Sequence, residues 1–213
     1  MKKTALLVGG GSKWGAVFTR HLAKQYSIDL ITGSDFKCKN VKTHKVNWYE
    51  LNPPDIENIC ENLDKEKYDL IFFNQNTGGG PNDVSFEPGN KYPLDHWYFQ
   101  FWINCQLPYT IVHNLQDKIT DNTKIGWMMT GLIDGKEREL WKFAGYAATK
   151  STNLHIMRGF ADRHPGIFFA MNPLWFPEDR LQEDAIAITE TIEKLLPEDN
   201  GKALNKDGTV WNI

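Results

Sequence analysis

The stretch that most restricts what this chain can fold into lies at its start. A short apolar run, Thr4-Ala5-Leu6-Leu7-Val8, ends abruptly in Gly9-Gly10-Gly11-Ser12-Lys13-Trp14-Gly15. After it, Ala16, Val17, Leu22 and Ala23 return at helical spacing. Strand, glycine turn, helix is how an open α/β sheet begins, and the helix N-terminus behind such a turn attracts a phosphate. Glycine is needed there because a side chain would hold a pyrophosphate away from the backbone. The bland alternative is a flexible turn with no ligand.

The rest of the chain keeps alternating between the two periodicities. Ile28 to Thr32 reads as a second buried strand, closed by Gly33-Ser34-Asp35. The lysines 37, 39, 42 and 45 that follow read as a solvated loop, with a third strand over Lys45 to Trp48. Pro53-Pro54-Asp55 opens a helix carrying Ile56, Ile59, Cys60 and Leu63, with Asp55 at its positive end. Asp69 to Phe73 is a strand, Asn74-Gln75-Asn76 a turn, and residues 77–93 a loop rich in Gly and Pro. A helix is expected from Leu94 to Leu115, kinked at Pro108. Thr123 to Thr130 is a fifth strand, a helix holding Tyr146 runs to Ala161, and Gly166 to Met171 is a sixth strand. Ala185, Ile188, Ile192 and Leu195 stripe a last helix. This order predicts a Rossmann-like, doubly wound parallel sheet covered on both faces, in one α/β domain over residues 1–213.

Composition narrows the function classes. A chain of 213 residues, 41% hydrophobic and 24% charged, has room for one full core and not for two. A net charge of -3 gives no electrostatic case for nucleic acid or an anionic membrane. No apolar run approaches the roughly 20 residues that span a bilayer. Met1 to Val8 looks superficially like a signal peptide but breaks at Gly9. Cys38, Cys60 and Cys105 form no C-x-x-C pair and read as reduced thiols of a cytoplasmic protein. The histidines show no metal spacing, so no metal site is expected.

The chemistry points to Tyr146-Ala147-Ala148-Thr149-Lys150. A tyrosine and a lysine four apart share one side of a helix. In a cleft, the ammonium favours the phenolate and lowers a tyrosine pKa from about 10, so that the hydroxyl can exchange a proton with a carbonyl or alcohol oxygen. Alone the pair is weak, since Tyr-x-x-x-Lys arises by chance in many helices.

Its company makes it specific. A glycine turn near residue 10, an Asn-rich turn after the fourth strand, Asn104 in the next helix, Thr130 ending the fifth strand, Tyr146 and Lys150, then Asn172-Pro173, follow one another in that order. Over essentially its whole length the chain resembles the short-chain dehydrogenase/reductase family. With Pro108 and the tail Gly201-Lys202-Ala203-Leu204, it is most similar to the shorter carbonyl-reductase and C-factor-like members. The resemblance implies an NAD(P)-dependent oxidoreductase that interconverts a carbonyl and an alcohol. It makes Tyr146 the acid/base and Lys150 the residue that tunes it and holds the nicotinamide ribose. Thr130 becomes the hydroxyl on the substrate oxygen, and Asn104 the prop of a proton relay. Gly9, Gly11, Ser12, Lys13, Trp14 and Gly15 fall in the dinucleotide turn, Ser34 at the adenosine ribose, Asn74, Gln75 and Asn76 beside it, and Pro173 beside the nicotinamide.

The departures are specific too. Val8 stands where the family has threonine, Lys13 where it has a second glycine, Thr130 where serine is usual, and Leu174 where glycine follows the proline. With Gly33 at the usual acidic position and Ser34, Lys13, Lys37 and Lys39 near it, NADP is the expected cofactor over NAD; Asp35 is the counter-indication. Trp127, Leu132, Trp141, Trp175 and Phe176 flank the site in sequence and point to an apolar or aromatic carbonyl substrate. A homodimer or homotetramer is implied by the resemblance only. One rival keeps the fold as a non-catalytic dinucleotide-sensing or scaffolding protein. The other, a sugar-nucleotide epimerase or dehydratase, needs a C-terminal substrate domain for which there is no room.

Overall fold

The computed structural model describes residues 2–75, 94–134, 144–173 and 178–213. Seven parallel strands form one sheet in the order β3-β2-β1-β4-β5-β6-β7. They are β1 (Lys3–Val8), β2 (Tyr26–Thr32), β3 (Val41–Lys45), β4 (Leu70–Phe73), β5 (Lys124–Met128), β6 (Ile167–Asn172) and β7 (Lys202–Asn205). The chain winds outward from β1 to β3, then returns to β1's other side as β4. The winding reverses between β1 and β4, and in an open sheet of this kind such a reversal puts the ligand crevice at the strands' carboxyl ends.

The alternation along each strand feeds two cores. Leu6, Val8, Ile71, Phe73, Ile125, Trp127, Phe168 and Ala170 face one side. There they meet α2 (Pro53–Glu61), α4 (Leu107–Asn114) and α5 (Ala144–Ala161) through Ile56, Ile111, Met157 and Phe160. Leu7, Ile28, Leu30, Phe72, Phe169 and Met171 face the other, against Phe18 and Leu22 of α1 (Lys13–Leu22) and Ile188 and Ile192 of α6 (Leu181–Lys194). Strands buried on both faces read as continuous apolar runs, as β1, β4 and β6 do. One polar exception lies in β2. Asp29 is fully buried, and accepts from the Tyr68 hydroxyl at 2.8 Å with His44 Nε2 at 3.4 Å.

Two expectations are corrected. The third strand is Val41–Lys45, not Lys45 to Trp48, so Lys42 and Lys45 belong to a strand instead of a loop. β3 is the sheet's edge, where lysine side chains facing water suit a strand and block further pairing. The helix from Leu94 does not simply kink at Pro108. It runs as α3 (Leu94–Phe101), passes through a π-helical turn at Trp102–Gln106, and resumes as α4 with proline in its first turn. In the π turn the Leu107 N–H reaches back to the Trp102 carbonyl. Asn76, the loop at 77–93, Trp141, Leu174, Trp175 and Phe176 lie outside the described residues. Among the described residues, no helix is long and apolar enough to cross a membrane.

Candidate active site

The crevice is lined first by the glycine turn. Gly9 has φ +91°, a backbone region that L side chains avoid, and a Cβ there would lie 2.3 Å from the Gln75 backbone nitrogen. The turns after β1 and β4 therefore touch backbone to backbone. Asn74 bolts them together: its Nδ2 donates to the Gly9 carbonyl at 2.8 Å, and its Oδ1 accepts from Trp14 Nε1 at 3.0 Å. Ser12 caps α1, its Oγ accepting from the Gly15 N–H at 2.9 Å. Helix α1 thus opens at Lys13, directly behind the glycines, with its positive end toward the crevice.

Several predicted cofactor residues serve this frame in ways the sequence did not indicate. Trp14 is buried and stacked on Phe18, so its indole braces the turn from the core side. Lys13 is ion-paired with Glu178 at 2.7 Å, so its charge already has a partner at the surface. Gln75 is buried, and its Nε2 donates to the Ile103 carbonyl in the π turn at 3.2 Å. Ser34 is exposed at the end of β2, 3.4 Å from the Thr32 hydroxyl and close against Gly11. At Gly33 a Cβ would lie 2.5 Å from Trp48 Nε1, so a side chain there would have to displace the indole. Asp35 is held by Lys45 at 2.9 Å. Pro173 is buried at the end of β6.

Of the predicted chemical groups, Tyr146 and Lys150 share helix α5, and Asn104 reaches that helix through Thr149. Tyr146 and Lys150 lie on the buried face of α5. The Lys150 ammonium is 5.7 Å from the centre of the Tyr146 ring and donates to the carbonyl of Met128, the last residue of β5, at 3.0 Å. Burial pushes its pKa down to about 8. Thr130 sits two residues past that carbonyl, half-buried, just beyond the strand. Asn104, fully buried in the π turn, donates from Nδ2 to the Thr149 hydroxyl at 3.0 Å. That hydroxyl donates in turn to the Tyr146 carbonyl at 2.8 Å. Cys105, its thiol pushed up to about 12 by burial, donates to the Thr149 carbonyl at 3.1 Å.

Sequence reasoning overlooked Thr149, Cys105, Trp48 and Glu178. Thr149 stands between Tyr146 and Lys150, but nothing near it in the chain points to its partners. No signal existed for Glu178, which meets Lys13 only through the fold. Among the described residues, no group of three or more His, Cys, Asp or Glu could hold a metal ion.

No protein-family model matches the sequence, and no curated protein matches it. Solved structures match over almost the entire chain. A carbonyl reductase from Pseudomonas aeruginosa PAO1 has a TM-score of 0.80 at 12% identity, over 98% of this chain and 99% of that one. A short-chain dehydrogenase family protein from Francisella tularensis gives 0.74 at 14% identity, over 98% of each. A Burkholderia multivorans structure described as a short-chain dehydrogenase/reductase with bound NADP gives 0.72 at 18% identity, over 99% of each. The chain has the fold of the short-chain dehydrogenases/reductases.

Proposed function

We propose that residues 1–213 form one dinucleotide-binding domain of the short-chain dehydrogenase/reductase family, an NAD(P)(H)-dependent oxidoreductase interconverting a carbonyl and an alcohol. The observation that carries this is Tyr146 beside a wholly buried Lys150 on α5, with the Lys150 ammonium on the carbonyl that ends β5. The residues present fit a dinucleotide. The turn at Gly9 excludes a Cβ, and the α1 N-terminus stands behind it. When bound, the nicotinamide supplies or accepts the hydride.

The chain's own residues manage the proton. In the reductive direction Tyr146 gives its hydroxyl proton to the carbonyl oxygen, while Thr130 donates a hydrogen bond to the same atom as negative charge develops. Lys150, next to the Tyr146 ring, favours its ionised form and, with Asn104, restores the proton. Such acid/base help is worth about 10²–10⁴-fold.

NADP is the favoured cofactor in this reading. The position for an NAD-type carboxylate is a glycine, Gly33, with Trp48 packed against it, and Asp35 is paired with Lys45. Ser34, Lys37 and Lys39 are exposed beside it. The Burkholderia multivorans neighbour carries NADP. The substrate is a small carbonyl or alcohol compound, and the protein works as a cytoplasmic homodimer or homotetramer. A second reading, a non-catalytic dinucleotide sensor or scaffold, is favoured by Lys13, which is tied to Glu178 instead of lying open to a phosphate.

The test is a fluorescence titration with NADPH and NADH, followed by an aldehyde and ketone screen of wild type and Tyr146→Phe. Tight NADPH binding, with turnover that Tyr146→Phe abolishes while still binding NADPH, is expected. Binding without turnover favours the sensor. Near wild-type rates in Tyr146→Phe sink the mechanism.

A further inference from the structure

The π turn at Trp102–Gln106 touches both the turn after β4 and helix α5. Gln75, from the turn after β4, grips it at the Ile103 carbonyl. Its next two residues, Asn104 and Cys105, both reach into α5, and both reach the same residue, Thr149. The contact is complete in hydrogen-bond terms. A hydroxyl has one proton to give, and Thr149 gives it to the Tyr146 carbonyl while its oxygen accepts from Asn104 Nδ2. The Thr149 carbonyl accepts from the Cys105 thiol. Thr149, Asn104 and Cys105 are each at most 1% exposed, so water cannot substitute for a lost partner.

We propose that Thr149 is a positioning residue for Tyr146 and Lys150: gripped by Asn104 and Cys105 of the π turn, it fixes the helical step on which the two reacting groups stand. The proposal rests on the oxidoreductase reading of this site. The Thr149 hydroxyl is buried and engaged by the Tyr146 carbonyl and Asn104 Nδ2, so it acts through the helix that carries the pair. It works by clamping the backbone at Tyr146 on one side and at its own peptide with Lys150 on the other. The same π turn holds Gln75, so the cofactor-side turn and the acid/base pair share one support. A small misplacement of reacting groups costs rate far more than binding.

The experiment compares Thr149→Val, which keeps the shape and loses the hydroxyl, with Thr149→Ser, which keeps the hydroxyl. Thr149→Val is expected to bind NADPH like wild type and to lose roughly ten- to a hundredfold in kcat at nearly constant KM. Its pH profile of kcat moves, while Thr149→Ser keeps both the rate and the profile. A second readout needs no turnover. Tyrosinate absorbance is titrated with pH in wild type and in Thr149→Val, each against its own Tyr146→Phe counterpart, which isolates the ionisation of Tyr146. A displaced ionisation in Thr149→Val, restored in Thr149→Ser, supports the clamp even if no carbonyl is turned over, an outcome that defeats the oxidoreductase reading alone. Unchanged kcat, pH profile and Tyr146 ionisation in Thr149→Val overturn the clamp. Should Thr149→Val fail to fold, Thr149→Ala goes through the same comparison.

Discussion

Lys150 is 2% exposed, and at neutral pH a charge so placed works against folding. Its pKa falls to about 8 from an ordinary value near 10.5. The folded chain therefore releases this proton before the unfolded chain does. Below about pH 8 both states are protonated and the full cost of burying the charge is present, on the order of 3 kcal/mol. From there to about pH 10.5 the unfolded state holds more protons, and stability from this group rises with pH. Lys150→Met is thus expected to raise the thermal midpoint at pH 7, an advantage that shrinks toward pH 10, while activity is lost. Melts across that range check it. The pairing of Tyr146 with Lys150 on one face of α5 was legible in the sequence because it needs only a spacing of four on a helix. Thr149 was not, because its partners Asn104 and Cys105 lie more than forty residues away in the chain.

Among the elements, α2 shows how far local sequence reaches. Asn52 caps it, accepting from the Asp55 N–H at 3.1 Å while the Asp55 carboxylate accepts from the Asn52 N–H at 3.1 Å. Proline at the first position costs nothing there. Asn52→Ala is expected to lower stability by about 1 kcal/mol with no effect on cofactor binding, measured by urea denaturation and NADPH titration. The helix, its start and Asp55 at its positive end are readable from Pro53-Pro54-Asp55, whereas the reciprocal cap with Asn52 appears only in the structure. β3 and the π turn were not readable in the same way. Lysines at 42 and 45 suit a loop or an edge strand equally, and only the position of β3 beyond β2 selects the strand. Pro108 announces an interruption but not its form. The extra residue in the turn before it is set by what Ile103, Asn104 and Cys105 must reach on either side.

At the scale of the whole molecule, one sheet separates two cores, and adjacent residues of β4 feed opposite ones. Phe72 packs with Phe18 and Phe169, Phe73 with Trp127 on the other face. Phe72→Leu and Phe73→Leu are each expected to cost about 1 kcal/mol. The double variant should equal their sum within about 0.5 kcal/mol, because the two rings share no partners. Denaturant melts of the three variants check it, and a large coupling would mean the sheet transmits strain between its faces. The sequence by itself determined the alternation of strands and helices, the glycine turn behind β1 and the Tyr146–Lys150 pair. All of these are set by residues within a few positions of one another, through periodicity, backbone freedom and helical spacing. Only the tertiary structure decided that Lys13 meets Glu178, that Trp48 packs against Gly33, that Asp29 finds Tyr68 and His44, and that Asn104 and Cys105 converge on Thr149. Each of these joins segments that the chain keeps apart and the parallel winding of the sheet brings together, so no local pattern encodes them.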